Sequence, residues 1–296
     1  GILLPRFFRQ QSVGKIYRFA IDFGTTNTHI EYRIGDEKPR PFSLSTTDSP
    51  MQYLCNYANK RYVLEADMMP STIGDGEMFS FPTRTALAEP LSLNWQQPVK
   101  AMAHVNPAFT YEKRQTYAYT QITTNLKWDN TDSLRAREYI RALMMLIRSK
   151  VLVEGGSLEN TRIAWFYPTA MAQFRLNQFA DEWEKAYEDY FGGNKNNVKA
   201  ITESEAPYIA YKKAENVSDN MVTIDIGGGT TDVVIVSGGQ LQAITSFRFA
   251  ADAVFGSGFT DGQGALNGIV NHFQEHISSV LGNNNMNDLL DILYRL

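Results

Sequence analysis

The sequence has little cysteine, no excess of basic residues and no long apolar run, and each shortage argues against a class of protein. The single cysteine, Cys55, has no partner for an internal disulfide, which fits a reducing compartment. Lys and Arg number 28 against 32 Asp and Glu, and this slightly acidic balance argues against nucleic acid or an acidic membrane surface as a partner. We therefore expect a cytoplasmic protein with neither kind of partner.

The regular elements follow from the spacing of the apolar residues. Helical spacing predicts four helices, at 132–153, 170–191, 203–214 and 264–282. The second of these places a series of large side chains on one side: Met171, Phe174, Phe179, Trp183, Tyr187 and Tyr190. An uninterrupted apolar run at 163–168 predicts a buried strand. Residues 36–120 mix short β-like pieces with Pro, Gly and Ser, and they predict no definite topology.

A strand, a glycine turn and a second strand occur twice in the chain. The first copy reads IDFGTTNTHIEYRIG from Ile21, and the second reads IDIGGGTTDVVIVSG from Ile224. The copies lie too far apart for a solenoid of short repeats, and their separation suits two similar lobes. The chain, of 296 residues, is long enough for each lobe to have its own core.

The turn of each copy has the composition of a phosphate-binding loop. Glycine lets a ligand approach the backbone, and successive amides in such a turn can point at one anion. Threonine hydroxyls add donors, and an aspartate at the end of the preceding strand, Asp22 or Asp225, would hold Mg²⁺ through its waters. Two such turns, one from each lobe, could grip a polyphosphate from both sides.

The alternative is that each turn is only a hairpin, which is the commoner role of a single Asp-x-Gly-Thr sequence. Three consecutive glycines, Gly227 to Gly229, argue against that alternative. Each costs roughly 1 kcal/mol of backbone entropy, and a hairpin needs only one or two. We expect another group to approach this backbone closely.

At these residues the chain resembles the actin, Hsp70 and sugar-kinase superfamily, and it is most similar to Hsp70. IDFGTTNTHI and VTIDIGGGTTDVVIV resemble the two phosphate motifs of the family. Three further segments follow in the family's order: RIAWFYPTAM (162–171), ITESEAPYIAY (201–211, the connecting motif) and DGQGALNGIVNHF (261–273). The resemblance covers residues 16–35 and 120–280.

The resemblance implies an α/β, actin-like ATPase fold, with ribonuclease-H-like sheets in two lobes and ATP with Mg²⁺ between them. It places an N-terminal extension at 1–15, the first lobe at 16–215 and part of the second lobe at 216–296. The family's adenosine motif is expected beyond residue 280, so we expect the second lobe to be incomplete and the Hsp70 peptide-binding domain to be missing.

The resemblance also implies roles for single residues. The carboxylates of Asp22 and Asp225 would lie on the Mg²⁺ side of the ATP, and Asp225 would also orient the attacking water. The phosphates would contact Gly24, Thr25, Thr26 and Asn27 from one lobe and Gly227, Gly228, Gly229, Thr230 and Thr231 from the other. Catalysis would involve Asp225, Glu203, Lys127 and Thr230, with Asp232 two residues further along.

Two of these roles have structural alternatives. Glu203 could serve only as an acidic residue at a helix N-terminus. Lys127, beside Trp128, could be a surface lysine whose stem lies on the ring.

The function implied is an Hsp70-like, Mg²⁺-dependent module that binds and hydrolyses ATP and couples lobe closure to a protein client or partner domain. One alternative is a protein of the same fold that does not hydrolyse ATP and acts as a nucleotide switch or an interaction module. A remote alternative is a zinc hydrolase, because His272-Phe-Gln-Glu275-His276 matches the helix of inverted zinc proteases. That site needs a third ligand further along the chain.

Overall fold

The computed structural model describes residues 13–43, 81–108, 120–128, 133–214, 220–255, 268–284, 286 and 289. Cys55 and most of the N-terminal extension lie outside these residues. The strands are β1 (Tyr17–Phe23), β2 (Asn27–Ile34), β3 (Arg40–Pro41), β4 (Thr83–Arg84), β5 (Leu87–Pro90), β6 (Asn106–Pro107), β7 (Thr120–Thr123), β8 (Arg162–Tyr167), β9 (Val198–Thr202), β10 (Met221–Ile226), β11 (Thr231–Ser237) and β12 (Gln240–Phe247). The helices are α1 (Ser133–Val153), α2 (Gln173–Phe191), α3 (Glu205–Ala214), α4 (Ala251–Phe255) and α5 (Gly268–Asn283).

The first sheet is mixed and has the strand order β3-β2-β1-β8-β9, with β4 added at β2. β1 runs antiparallel to β2 and parallel to β8, and β8 runs parallel to β9. The parallel connection from β8 to β9 passes through α2, as such crossovers require. The predicted α/β class is therefore confirmed, and the sheet agrees with the ribonuclease-H-like lobe that the resemblance implies.

The core of the molecule lies on one face of this sheet. Alternate residues of β1 are buried, and the residues between them, including Arg18 and Asp22, are on the opposite face. Helices α1 and α2 cover the buried face with large side chains, which include Tyr139, Leu143, Ile147, Val151, Phe179 and Trp183. This packing leaves the Asp22 end of β1 open for a site.

The second copy of the hairpin forms a separate antiparallel sheet of order β10-β11-β12. Three apolar side chains of β10 are more than half exposed: Val222 (58%), Ile224 (62%) and Ile226 (66%). A third sheet, β6-β5-β7, forms from the region whose topology the sequence does not predict. The two copies therefore have the same local structure but different degrees of burial.

The four predicted helices and the predicted strand at 163–168 are confirmed, with ends in the described residues shifted by up to three positions. The predicted start of the last helix, at 264–267, lies outside the described residues. Gly192 ends α2 in the left-handed region at φ 64°, a conformation that suits glycine. The prediction that Phe174 shares the buried side of α2 is wrong, because it is 66% exposed. Phe174 precedes the buried Phe179 by five positions, which turns its side chain away by roughly 140°.

None of the helices in the described ranges is both long enough and apolar enough to cross a membrane.

Candidate functional site

The two glycine turns meet tip to tip. A Cβ atom on Gly228 would overlap the Thr26 side chain, and one on Gly229 would lie 2.6 Å from Thr25 Oγ1. Only glycine permits this approach at both positions. The group that approaches the triple-glycine backbone in this structure is therefore the turn of the first hairpin.

The first turn is tight because the chain passes close to itself at Gly24. A Cβ atom on Gly24 would overlap the Asn27 carbonyl oxygen, so the chain can reverse there only without a side chain. In the second turn the Gly227 amide donates to the Thr230 carbonyl at 2.9 Å. In the second turn this bond fixes the Gly227 amide, and each turn follows a strand that has an aspartate as its second-last residue.

A cavity of about 470 Å³ lies beside this contact, which is in the usual range for a small-molecule site. Most of the predicted site residues line it: Asp22, Gly24, Thr25, Thr26, Asn27, Glu203, Asp225, Gly227, Gly228 and Thr230. Asp22 and Asp225 therefore face one shared cavity.

Four predicted site residues do not line the cavity, and one of them, Asp232, is buried and accepts from the Ser204 hydroxyl. Gly229 packs on Thr25, and Lys127 lies behind Glu203. Thr231 is buried, and its hydroxyl donates to the Phe249 carbonyl at 2.6 Å, so that hydroxyl is already used. The expectation that Thr231 offers a donor to phosphate is therefore not met by this geometry.

The carboxylates of the cavity perturb one another. Burial raises the pKa of Asp22, the Lys127 ammonium lowers it, and the Asp225 carboxylate raises it again. Burial also raises the pKa of Asp225, and Asp232 raises it further. Two neighbouring carboxylates repel each other, and a cation bound between them would relieve that repulsion.

Lys127 and Glu203 form a buried ion pair. The Lys127 side chain is 1% exposed and its ammonium contacts Glu203 Oε1. The surface-lysine alternative is therefore wrong. Glu203 lies just before α3, where its backbone amide donates to the Tyr167 carbonyl at 2.8 Å, and its carboxylate turns to Lys127 and the cavity.

The pKa of Glu203 is raised to about 7, chiefly because burial disfavours its charged form. The nearby Asp22 and Asp232 carboxylates raise it as well, and pairing with Lys127 lowers it. A carboxyl group whose pKa is raised toward neutral is suited to exchange a proton with substrate or water.

The sequence did not indicate Asp252, which lies in the short helix α4. The Thr26 hydroxyl is 2.6 Å and 2.8 Å from its two carboxylate oxygens, and donates to them. The backbone amides of Ala251 and Asp252 donate to the Gly227 and Gly228 carbonyls at 3.1 Å and 2.8 Å. Asp252 lies outside both copies of the hairpin and outside the other segments that resemble the family, so none of those motifs identifies it.

Two further contacts join the halves of the cavity. Trp128 Nε1 donates to Thr25 Oγ1 at 2.8 Å, and the Arg248 guanidinium lies 4.7 Å from the centre of the Trp128 ring. On the other side, the Ser204 hydroxyl donates to the buried Asp232 carboxylate at 2.9 Å. The first sheet and the second hairpin are thus connected by polar contacts around the site.

Within the described ranges, no group of three or more His, Cys, Asp or Glu is arranged to hold a metal ion by itself. Mg²⁺ commonly binds through one or two carboxylates, with waters and ligand phosphates completing its shell, and Asp22 with Asp225 fits that pattern. The His272 to His276 segment lies on α5, and the side chains of His272 and Glu275 are outside the described part of the structure.

No protein-family model matches the chain, and no curated protein matches it. Similar solved structures include MreB5 of Spiroplasma citri bound to AMPPNP, at 15% identity and TM-score 0.43, covering 90% of this chain and 56% of that one. A MamK double helical filament gives 12% identity, TM-score 0.41, and coverage of 81% and 56%. An exopolyphosphatase from Cytophaga hutchinsonii gives 11% identity, TM-score 0.37, and coverage of 91% and 63%.

The chain thus spans little more than half the length of the first of these structures. These superpositions have TM-scores below 0.5, and the α/β class of the chain rests on its own sheet order.

Proposed function

We propose that this chain is an Mg²⁺-dependent module that binds ATP in the cavity between the two hairpins and hydrolyses it. The observation that carries the proposal is the tip-to-tip contact of the duplicated turns, with Asp22 and Asp225 lining one cavity beside them. Neither hairpin needs this contact to fold as a hairpin.

The phosphates would lie against the turns. The backbone amides of Gly24 and Gly228 and the hydroxyls of Thr25, Thr26 and Thr230 offer donors from both sides, as in other anion-binding turns. The Gly227 amide is already bonded to the Thr230 carbonyl. The Thr26 hydroxyl now bonds to Asp252, so a bound phosphate would compete with that carboxylate for the same donor.

Asp22 and Asp225 would hold Mg²⁺ through its waters, and the ion would supply the positive charge that a polyphosphate needs beside carboxylates. Without a cation, Asp22, Asp225, Asp252 and Glu203 would repel the phosphates. Binding of ATP should therefore depend strongly on Mg²⁺.

Glu203 would position the attacking water and accept its proton, since its raised pKa suits that exchange near neutral pH. Lys127, buried against it, would hold its carboxylate in place and balance its charge. Asp225, on the other wall of the cavity, would orient the same water. In such a site catalysis is positioning and charge neutralisation, with little covalent chemistry for the protein.

We also propose that the site acts as in Hsp70. The bound nucleotide would change the contacts between the first sheet and the second hairpin, and this change would alter the binding of a protein client or partner domain. Support comes from the contacts around the cavity, Thr26 with Asp252 and Ser204 with Asp232, which a ligand between the hairpins would alter. A ligand shifts such an equilibrium only by its difference in affinity for the two states.

The test is ATP binding measured by calorimetry with Mg²⁺ and with a chelator. We expect binding with Mg²⁺, and a loss of roughly tenfold or more in Asp22→Asn and Asp225→Asn, because each loses a metal-side charge. Asp36→Asn, in the turn after β2, is the matched control and should bind as the wild type does.

Single-turnover hydrolysis separates an ATPase from a nucleotide switch. Binding without turnover would establish the non-hydrolysing alternative. An ATP affinity that changes neither when Mg²⁺ is removed nor in the Asp225→Asn variant would contradict the proposed site.

A further inference from the structure

The open face of the first sheet has a basic groove, away from the nucleotide cavity. The groove has a volume of about 570 Å³ and lies opposite the face that α1 and α2 cover. Its polar lining consists of Arg18, Arg33, Arg162, Lys199, Asn196 and Asn197.

Three of the cations stand in one row across three neighbouring strands. Arg18 of β1 pairs with Arg33 of β2 and with Arg162 of β8. Residues directly opposite each other in a sheet have their side chains on the same face, about 5 Å apart. Lys199 of β9 pairs with Ala164, one step along the same face, so a fourth cation borders the row.

Like charges directly opposite each other destabilise a sheet. No Asp or Glu lines the groove, and none of the salt bridges in the described part of the chain includes these four cations. Glu31 is on the same face, but it pairs with His29 at 3.6 Å. The charge of the row is thus not compensated from within the described chain.

One of the three guanidinium groups is held by the protein. Arg18 is half-buried, and its Nη1 donates to the Gly35 carbonyl at 2.5 Å. Arg33 and Arg162 are exposed and can move to meet a ligand. A fixed guanidinium with two adjustable neighbours suits an anion that accepts several paired hydrogen bonds.

We propose that this groove is a second anion site, which binds a compact phosphorylated ligand of the pyrophosphate type. A compact anion with several charges can contact Arg18 and its two neighbours, each about 5 Å from it, which the single charge of one carboxylate cannot. The only aromatic lining residue, Phe19, has its ring in the core, so no platform for stacking nucleic-acid bases is present in the groove. The small neighbours Ala20 and Ala164 leave room above the sheet.

The groove and the cavity should differ in their need for metal. The nucleotide cavity contains carboxylates and would need Mg²⁺ to accept a phosphate, whereas the groove contains only cations and amides as polar side chains. Pyrophosphate with a chelator present should therefore bind in the groove alone. This separates the proposal from the proposed function, since either can fail without the other.

The experiment is calorimetric titration of pyrophosphate, with chelator, into the wild type and three variants. We expect one bound pyrophosphate, weakened roughly tenfold or more in Arg18→Gln/Arg162→Gln. The control pair Lys185→Gln/Lys212→Gln removes the same charge elsewhere and should change affinity less than about twofold. The cavity variant Asp225→Asn should bind as the wild type does.

Should Arg18→Gln/Arg162→Gln fold poorly, the exposed pair Arg33→Gln/Lys199→Gln gives the same test with the same expected loss. No binding by the wild type, or an equal loss in the control pair, would overturn the proposal. Binding of an acidic peptide or of single-stranded nucleic acid in place of pyrophosphate would overturn it too, and would assign the surface to a macromolecule.

Discussion

Ile21 and Ile224 precede the aspartate in the two copies of the hairpin, yet one is 0% exposed and the other is 62% exposed. Ile21 lies under α1 and α2, in a core whose buried members all fall between Tyr17 and Val198. Ile224 lies on a face of the second sheet that the described elements leave open. Two similar sequences therefore form the same hairpin, and the elements packed against each copy decide how far it is buried.

The second sheet is joined to the first mainly where their hairpins meet. Gly228 and Gly229 contact Thr26 and Thr25, and Asp252 accepts from Thr26. The candidate site is thus also the place where the less buried half is held. Variants of core residues in the first half should consequently affect stability, whereas variants where the hairpins meet should affect ligand affinity.

The largest contrast should come from Ile21→Ala against Ile224→Ala. The first removes buried methyl groups and should cost about 2–5 kcal/mol of unfolding free energy. The second removes an exposed side chain and should cost within about 0.5 kcal/mol. Denaturant unfolding of both variants measures the difference, and equal losses would show that the two sheets are equally buried in solution.

Gly228→Ala tests the contact between the turns. Its Cβ would overlap Thr26, so the hairpins must separate, at a cost of about 1–3 kcal/mol in ATP affinity. Gly282→Ala, where a Cβ would meet nothing within 4 Å, is the control and should bind ATP normally. A Gly228→Ala protein with wild-type affinity would mean that the turns do not meet.

The pH dependence tests Glu203. Its pKa of about 7 means that the carboxylate form is lost as pH falls, so the single-turnover rate should rise roughly tenfold between about pH 6 and about pH 8. Mg²⁺ near the cavity should shift this rise to lower pH, since a cation favours the carboxylate. The Glu203→Gln variant should be slower and should lack the rise. A wild-type rate that is flat over this range would remove Glu203 from the mechanism.

Trp128→Phe should have the smallest effect. It removes the hydrogen bond to Thr25 and weakens the contact with Arg248, at about 0.5–1.5 kcal/mol in ATP affinity. It should also abolish most of the change in tryptophan fluorescence when ATP binds. If the fluorescence change persists, another tryptophan reports binding, and the contact across the cavity is not altered by the ligand.

Much of the site could be predicted from the sequence because its residues belong to repeated motifs. Asp22 and Asp225 lie near the ends of matching strands, and Lys127 and Glu203 lie in segments with a family resemblance. Asp252 has no such motif, and only the fold brings it to Thr26. The prediction for Thr231 failed because composition does not show that a hydroxyl is used by a backbone carbonyl.

The fold, too, could be predicted from local sequence only in part. Long periodic segments such as α1 were predicted closely, whereas β9 and β12 were not predicted. β9 gains its hydrogen bonds from β8, and β12 gains its own from β11, so neither strand is defined by local sequence alone.

The most direct test of the nucleotide site is a crystal structure of the chain with Mg²⁺ and a non-hydrolysable ATP analogue. We predict that the phosphates lie between Thr25–Thr26 and Gly227–Gly228, with the metal on the side of Asp22 and Asp225. Phosphates bound elsewhere on the molecule, with the two turns still in contact and the cavity empty, would contradict the account.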